Sequence, residues 1–249
     1  MKRNPFLAVA VALLATAGCN SEKAGDSTAP AGEPVAAVPP PLGGDWTKVV
    51  TLSPAGGFMM GNPNAAVKLV EYASMTCPHC AEFAETGVQP LVDKYVKSGR
   101  VSFEVRNYVR DPLDITMSLI ARCGGAERFF PLTDALFKSQ PEIFQRVQNV
   151  SAEQQQALSQ LPPTKQFAGY AQAAGLQQWA AMRGVPSARQ QQCLSNQGEI
   201  NKLVQMASDT TTELPNFPGT PTFTINGEMV ESGGTWAQLE PKLREALGD

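Results

Sequence analysis

The sequence is short of histidine, of cysteine and of net charge, and each shortage excludes a class of function. Its 249 residues include one histidine and five cysteines, with a formal net charge of −3. Without a basic surplus the chain lacks the electrostatic footprint of nucleic-acid-binding proteins, so we expect no nucleic-acid partner. Five cysteines are too few for a fold held together by disulfides, and their odd number leaves at least one that needs a separate explanation.

The apolar fraction of 43% is enough for a packed core, yet the N-terminal apolar run is too short for an ordinary membrane-spanning helix. That run, Phe6–Ala17, is uncharged and follows Lys2 and Arg3. A positive segment followed by a short apolar one is typical of a secretory signal, which we predict over residues 1–18. We therefore expect a periplasmic or other extracytoplasmic location, where conditions are oxidising and disulfides persist.

Cys19 follows the small residues Ala17 and Gly18 at the end of this signal. The arrangement resembles the bacterial lipobox, although Thr16 stands where a lipobox usually has leucine. The resemblance implies that Cys19 becomes the lipid-bearing first residue of the mature chain and anchors it to a membrane. The alternative is an ordinary secreted protein in which Cys19 is removed or left as a free thiol.

Residues 19–45 are rich in alanine, proline, glycine and serine and include three consecutive prolines at 39–41. Such a composition buries too little apolar surface to offset the entropy of ordering, which predicts a disordered, partly extended tether. We expect the folded part to begin near Trp46.

The folded part begins with a strand–helix–strand pattern. Val67–Ala73 is a mostly apolar run of strand length, and apolar and polar residues alternate over 101–106. Strand signals are then almost absent over 112–207, where we expect four to six helices. They return at Thr220–Ile225, before an Asn-Gly hairpin turn and a last helix. We predict an α/β fold with one domain formed by residues 46–111 and 208–249 and a helical insertion at 112–207.

Cys77-Pro78-His79-Cys80 follows the first of these strands and opens the helix. A helix N-terminus presents unpaired N–H groups and partial positive charge, which favour a thiolate. We therefore predict a redox pair in which Cys77 is an exposed nucleophile, Cys80 the more buried resolving cysteine, and His79 a further stabiliser of the thiolate. A zinc site would need two more ligands, and haem attachment would need histidine where Ala81 stands. An inert structural bridge remains an alternative.

With Gly219-Thr220-Pro221-Thr222-Phe223, this motif carries a resemblance to the thioredoxin fold as elaborated in the DsbA-like family, over about Trp46 to Asp249. The Pro78-His79 pair looks like that of DsbA itself. The resemblance implies that Pro221 has a cis peptide bond and faces the cysteines, and that Thr220 offers backbone groups to an extended substrate. From the residues alone a trans, strand-initiating proline is the ordinary expectation.

Glu71 is an acidic residue within the apolar strand, six positions before Cys77. Its position matches that of a buried acid in DsbA-like proteins, which implies a raised pKa and a role in moving the proton of Cys80. Alternatively, Glu71 is a carboxylate at the edge of the sheet that reaches water. Arg106 on the next strand is a candidate partner.

Cys123 and Cys193 lie in the helical segment, away from the Cys77–Cys80 pair. Because two free thiols are unfavourable in an oxidising compartment, we predict by exclusion that they form a structural disulfide between two helices. Two separately buried cysteines are the alternative.

Together these features predict a monomeric thiol–disulfide oxidoreductase that introduces disulfides into reduced or unfolded secreted proteins. No flavin, haem or metal cofactor is expected, and a membrane redox partner would reset the cysteine pair. Two alternatives remain open. One is a disulfide isomerase or reductase of the same fold, since Thr220 before the proline resembles the isomerase branch of the family. The other is a lipid-anchored chaperone that acts without redox chemistry.

Overall fold

The structure, a computed structural model, describes residues 34–249, so Cys19 and the predicted signal lie outside the described residues. In this part of the chain no helix is both long enough and apolar enough to cross a membrane. A six-stranded sheet lies at the centre, in the order β1-β2-β4-β3-β5-β6. Its strands are β1 (Val50–Leu52), β2 (Phe58–Gly61), β3 (Val67–Ala73), β4 (Val101–Asn107), β5 (Thr222–Ile225) and β6 (Glu228–Met229).

The central strand β3 is parallel to β4 and antiparallel to β5. Successive side chains of a strand point to opposite faces of the sheet. Glu71 pairs with Phe223, whose ring packs 4.6 Å from that of Phe83 in helix α1 (Pro78–Thr86), so Glu71 faces this helix. Tyr72 faces the other side, where it packs in a small cluster with Leu214.

The connection from β3 to β4 is the crossover that a parallel pair requires. It consists of α1, the short α2 (Val88–Leu91) and one turn of π-helix at Val92–Val96. The last helix, α11 (Trp236–Leu247), buries Leu239, Leu243 and Leu247 completely in the main core. This i, i+4, i+8 spacing places the three leucines on one face of the helix.

In the described chain the segment between β4 and β5 contains helices joined by short breaks and no strand, and it holds more helices than the four to six expected. They are α3 (Pro112–Cys123), α4 (Ala126–Lys138), α5 (Gln140–Gln148), α6 (Ala152–Ser159), α7 (Pro163–Ala173), α8 (Leu176–Ala181), α9 (Ser187–Leu194) and α10 (Gln197–Glu213). Short breaks divide this helical segment into separate helices. One of them is at Gly175, which adopts a left-handed conformation with φ of 69°. The predicted architecture, an α/β fold with a helical insertion, is confirmed.

Residues 34–45, which the composition assigns to the tether, contact the folded domain. The amide of Val35 donates to the Leu247 carbonyl and that of Val38 to the Ser98 carbonyl. The Trp46 indole N–H donates in turn to the Val38 carbonyl at 2.7 Å. The described end of this segment is therefore held by backbone hydrogen bonds, which composition does not reveal.

Candidate active site

Cys77 is the N-cap of α1, at the point where the loop after β3 turns into the helix. Its φ and ψ of −90° and 120° are extended, while its carbonyl already accepts the first helical hydrogen bond from the Ala81 amide. Pro78 stands at the first helical position, where its missing N–H costs nothing. This local geometry points the N–H groups of the first turn of α1 toward the Cys77 sulfur.

Cys77 is only 3% exposed, so the expectation of an exposed nucleophile is corrected. The cover comes from the loop before β5, because the Cys77 thiol donates to the Thr220 carbonyl at 3.0 Å. The pKa of Cys77 is nevertheless lowered to about 5. The main cause is a hydrogen bond from the Cys80 thiol, and the Thr220 hydroxyl and the N–H groups of Cys80 and His79 add to it against the opposing effect of burial.

Cys80 is fully buried one turn further into α1. Burial raises its pKa well above the usual value, and its hydrogen bond to Cys77 and the nearby Glu71 carboxylate raise it further. Both cysteines are free thiols in this structure. The two sulfurs of the pair therefore differ strongly: Cys77 is a thiolate at neutral pH and Cys80 is a thiol.

The His79 side chain is 78% exposed and turns away from the sulfur toward Glu82, with Nδ1 3.5 Å from Oε2. His79 contributes to the lowered pKa of Cys77 through a hydrogen bond from its backbone N–H. The structure thus shows a contribution from the position of His79 at the helix start, while the imidazole itself faces solvent.

The Thr220–Pro221 peptide bond is cis, and this loop lies directly against Cys77. Thr220 Oγ1 is buried and has no hydrogen-bond partner in the described chain while Cys77 is a thiol. On ionisation the hydroxyl can turn toward the thiolate, which is how it lowers the pKa of Cys77.

Glu71 is 3% exposed, and its Oε1 has no hydrogen-bond partner among the described residues. Burial, followed by the charge on Cys77, raises its pKa to about 8, so the carboxyl is protonated at neutral pH. The suggested pairing with Arg106 is wrong. Arg106 lies on the opposite face of the sheet and pairs with Glu104 at 2.8 Å, because the two residues are two apart on β4.

Two residues of the helical segment that the sequence did not single out hold the loop before Cys77. Asp114 of α3 is fully buried and accepts from the Ser74 hydroxyl and from the Met75 amide, the latter at 2.9 Å. Burial raises its pKa to about 6. Gln140 of α5, 3% exposed, donates to the carbonyls of Met75 and Cys77 at 2.9 and 3.1 Å. Only the fold brings these distant residues to the loop.

Cys123 and Cys193 are joined in a disulfide that connects α3 with α9, with 5.7 Å between their Cα atoms. The two residues are 70 positions apart. The bridge therefore ties the first helix of the insertion to one near its end, and it leaves Cys77 and Cys80 as the two thiols of the described chain.

Within residues 34–249 no group of three or more His, Cys, Asp or Glu side chains is placed to hold a metal ion. The site consists of a dithiol at a helix N-terminus, a cis-proline loop opposite it and a buried carboxyl nearby. This combination defines a thioredoxin-fold protein with a helical insertion.

Comparison with known proteins agrees with that class. Residues 54–244 match the family model Thioredoxin_4, described as thioredoxin. The chain belongs to this family.

The chain is 26% identical over 176 residues to a protein of Rickettsia bellii provisionally named a protein-disulfide oxidoreductase. The alignment covers 70% of this chain and 59% of the relative, so the chain spans about three fifths of the length of that curated relative. A crystal structure described as protein-disulfide isomerase from Novosphingobium aromaticivorans matches with a TM-score of 0.72 and 32% identity, over 77% of this chain and 97% of that one. Wolbachia pipientis alpha-DsbA1, at 19% identity and a TM-score of 0.62, covers 79% and 94% and shows the same fold.

Proposed function

We propose that this protein is a thiol–disulfide oxidoreductase that transfers the disulfide of Cys77 and Cys80 to reduced cysteine pairs of secreted proteins. The observation that carries the proposal is the difference between the two thiols, with the pKa of Cys77 lowered to about 5 and that of Cys80 raised. A stabilised Cys77 thiolate lowers the free energy of the reduced protein, which makes the disulfide form an oxidant. The names of the Rickettsia relative and of the Novosphingobium structure support this class of activity.

The exchange runs in two displacements. A substrate thiolate attacks the Cys77 sulfur of the disulfide, a mixed disulfide forms, and the Cys80 sulfur leaves with the electron pair of the broken bond. Glu71, protonated at neutral pH, is the nearby acid that can supply the proton Cys80 takes up. A second substrate thiolate then attacks the substrate sulfur of the mixed disulfide, and Cys77 leaves as a thiolate. The substrate loses two electrons and the Cys77–Cys80 pair gains them.

The loop opposite the cysteines supplies a place for the substrate chain. Thr220 and Pro221 lie against Cys77, and the Thr220 carbonyl is bonded there only to the Cys77 thiol among the described residues. In the disulfide form Cys77 carries no proton to donate, so the carbonyl is available to an extended substrate segment, which would pair with it like an added strand.

The reduction potential of the Cys77–Cys80 pair, measured by equilibration of the full chain with glutathione buffers, tests the proposed direction. We expect a value above about −180 mV, in the range of strong protein oxidants. A value near about −270 mV, as in thioredoxin, would contradict an oxidase. The matching activity is the oxidation of reduced ribonuclease, with the Cys77→Ser variant as the inactive control.

Disulfide isomerisation is a second candidate, because a threonine precedes the cis-proline and a structure at 32% identity is described as an isomerase. Scrambled ribonuclease separates the two activities, since an isomerase restores it without a supply of oxidant. A chaperone that acts without redox chemistry would keep its activity in Cys77→Ser.

We further propose that the chain works outside the cytoplasm as a monomer, held to a membrane by a lipid on Cys19 and reset by a membrane redox partner. The residues before the folded domain carry this proposal. The intact mass of the membrane fraction tests it: Cys19→Ala should lose the added lipid mass and release the protein, and an unmodified native Cys19 would contradict the anchor.

A further inference from the structure

Gln140 occupies an unusual position for a neutral side chain of a helical insertion. It is the first residue of α5, only 3% exposed, and its amide nitrogen reaches out of the insertion to the loop that carries the cysteines. Nε2 lies 2.9 Å from the Met75 carbonyl oxygen and 3.1 Å from that of Cys77. An amide NH₂ has two protons to donate, and both are directed at this loop.

The bond to the Cys77 carbonyl acts on the nucleophilic residue itself. The Cys77 carbonyl also accepts from the Ala81 amide at 3.2 Å, which is the bond that starts α1. The carbonyl is therefore held from two sides, by its own helix and by a residue 63 positions later. Because the orientation of this peptide group decides where the Cys77 side chain points, Gln140 helps to aim the sulfur at the N–H groups of His79 and Cys80.

The bond to the Met75 carbonyl acts two residues earlier. Met75 is completely buried; its amide donates to Asp114 and its carbonyl accepts from Gln140. The two peptide groups that flank Met75 are thus each fixed by a different helix of the insertion. A short loop held in this way has little freedom to let the Cys77 sulfur drift from the helix N-terminus.

We propose that Gln140 is a positioning residue of the thiol chemistry, which holds the Cys77 sulfur against the first turn of α1 so that its thiolate is stabilised in the reduced protein. The inference rests on the proposed function for its biological meaning, but the thiolate itself is measured without any substrate. In this arrangement the helical insertion does more than cover the thioredoxin fold: it supplies part of the frame that makes Cys77 reactive.

The test uses Gln140→Met in the full, reduced chain, because methionine keeps the length of the side chain and removes both donors. The rate of alkylation of Cys77 as a function of pH gives its pKa. We expect a rise of about one unit, which is about a tenfold smaller thiolate fraction at a pH below the pKa. The equilibrium with glutathione should shift by a similar factor toward a less oxidising disulfide.

Gln190 offers a matched control. It is 2% exposed, lies in α9 of the same insertion, and donates through Nε2 to two carbonyls, those of Gln177 and Val185, at 3.0 and 2.7 Å. Gln190→Met removes the same chemical group from an equally buried site, but neither of its acceptors belongs to the active-site loop. A purely structural role for Gln140 predicts that both variants lose stability and that both keep the pKa of Cys77.

An unchanged alkylation profile in Gln140→Met would therefore overturn the proposal, whatever happens to stability. Gln140→Asn is the second variant should Gln140→Met fail to fold, since it keeps a polar amide in the site but is one carbon too short to reach both carbonyls. The pKa of Cys77 should also rise in Gln140→Asn, and an unchanged pKa in this variant would contradict the proposal as well. Failure of the proposed function would look different: the wild-type chain would not exchange with glutathione, while its alkylation profile would still report on Gln140.

Discussion

Cys77 Sγ lies 3.0 Å from the carbonyl oxygen of Thr220, a residue 143 positions later in the chain. This contact joins the two halves of the thioredoxin fold at the reactive sulfur. It also depends on the protonation state of Cys77, because a thiol donates to the carbonyl and a thiolate does not. The pKa of Cys77 therefore governs both the reactivity of the sulfur in the reduced protein and whether the thiol makes this hydrogen bond.

The stability of the reduced protein should depend on pH through Cys77. Because the pKa of this thiol is lowered to about 5 on folding, its stabilising contribution is complete above the unfolded pKa of about 8.5 and is lost as the pH falls through about 5. Between pH 7 and pH 5 we expect reduced wild type to lose about 2–3 kcal/mol of unfolding free energy relative to reduced Cys77→Ser. Urea unfolding at the two pH values measures this, and equal losses in the two proteins would contradict it.

The pKa of Cys77 should rise when Cys80 is replaced by alanine. The Cys80 thiol is the largest contribution that lowers this pKa, so Cys80→Ala should raise it by about 1–2 units while the backbone N–H groups keep it below the usual value. The pH profile of alkylation checks this. Cys80→Ser retains a hydroxyl donor, so its pKa for the Cys77 thiol should lie between those of wild type and Cys80→Ala. A Cys80→Ala profile that matches wild type would show that the neighbouring sulfur does not lower this pKa.

Glu71→Gln should remove a loss of unfolding free energy that the wild-type protein undergoes as the pH rises. The pKa of Glu71 is raised to about 8 by burial, so its contribution to stability is present below the unfolded pKa of about 4.3 and declines as the pH rises toward 8. Between pH 4 and pH 7 the wild-type carboxyl lowers the unfolding free energy by up to about 3 kcal/mol, whereas glutamine does not titrate and causes no such loss. Unfolding free energies at pH 4 and pH 7 measure it. A variant with the same pH dependence as wild type would place Glu71 in contact with water.

The features that the sequence predicts are those with a local signature. The strand Val67–Ala73, the cysteine pair at a helix start and the Asn-Gly turn each lie in a short window where spacing and residue type suffice. The burial of Cys77 is different in kind. It depends on the loop at Thr220, so no pattern near Cys77 could reveal it.

Asp114 and Gln140 show the same limit at the candidate site. In sequence Asp114 is a polar residue in the first turn of a helix and Gln140 begins another, which are ordinary positions for both. Their function as hydrogen-bond partners of the loop before Cys77 appears only when the insertion folds back over that loop. A buried polar residue is the general signal, but burial has to be known first.

The disulfide between Cys123 and Cys193 should stabilise the insertion without taking part in exchange. It closes a loop of about 70 residues, and its removal in the double variant Cys123→Ala/Cys193→Ala should lower the unfolding free energy by about 2–4 kcal/mol. The alkylation profile of Cys77 should stay as in wild type. Mass spectrometry of denatured, unreduced protein checks the bridge, because alkylation of both Cys123 and Cys193 without prior reduction would contradict it.

Asp114→Ala should destabilise the protein through the loop that precedes Cys77. The substitution leaves the Met75 amide buried without an acceptor and takes the carboxylate partner from the Ser74 hydroxyl, which should cost about 2–4 kcal/mol. The cost should be greater at pH 4 than at pH 7: the pKa of Asp114 is raised to about 6, so its stabilising contribution is present below the unfolded pKa of about 3.9 and declines as the pH rises through 6.

Asp134→Ala is the matched control, because that carboxylate is exposed and pairs only with Lys138 one turn along α4, a contact worth about 0.5 kcal/mol or less. Urea unfolding of the three proteins at pH 4 and pH 7 measures both effects. Equal, small losses in the two variants would show that the loop is held without Asp114. Gln140 would then be the residue that holds the carbonyls of Met75 and Cys77 from the insertion, and Gln140→Met should in that case raise the pKa of Cys77 by more than one unit.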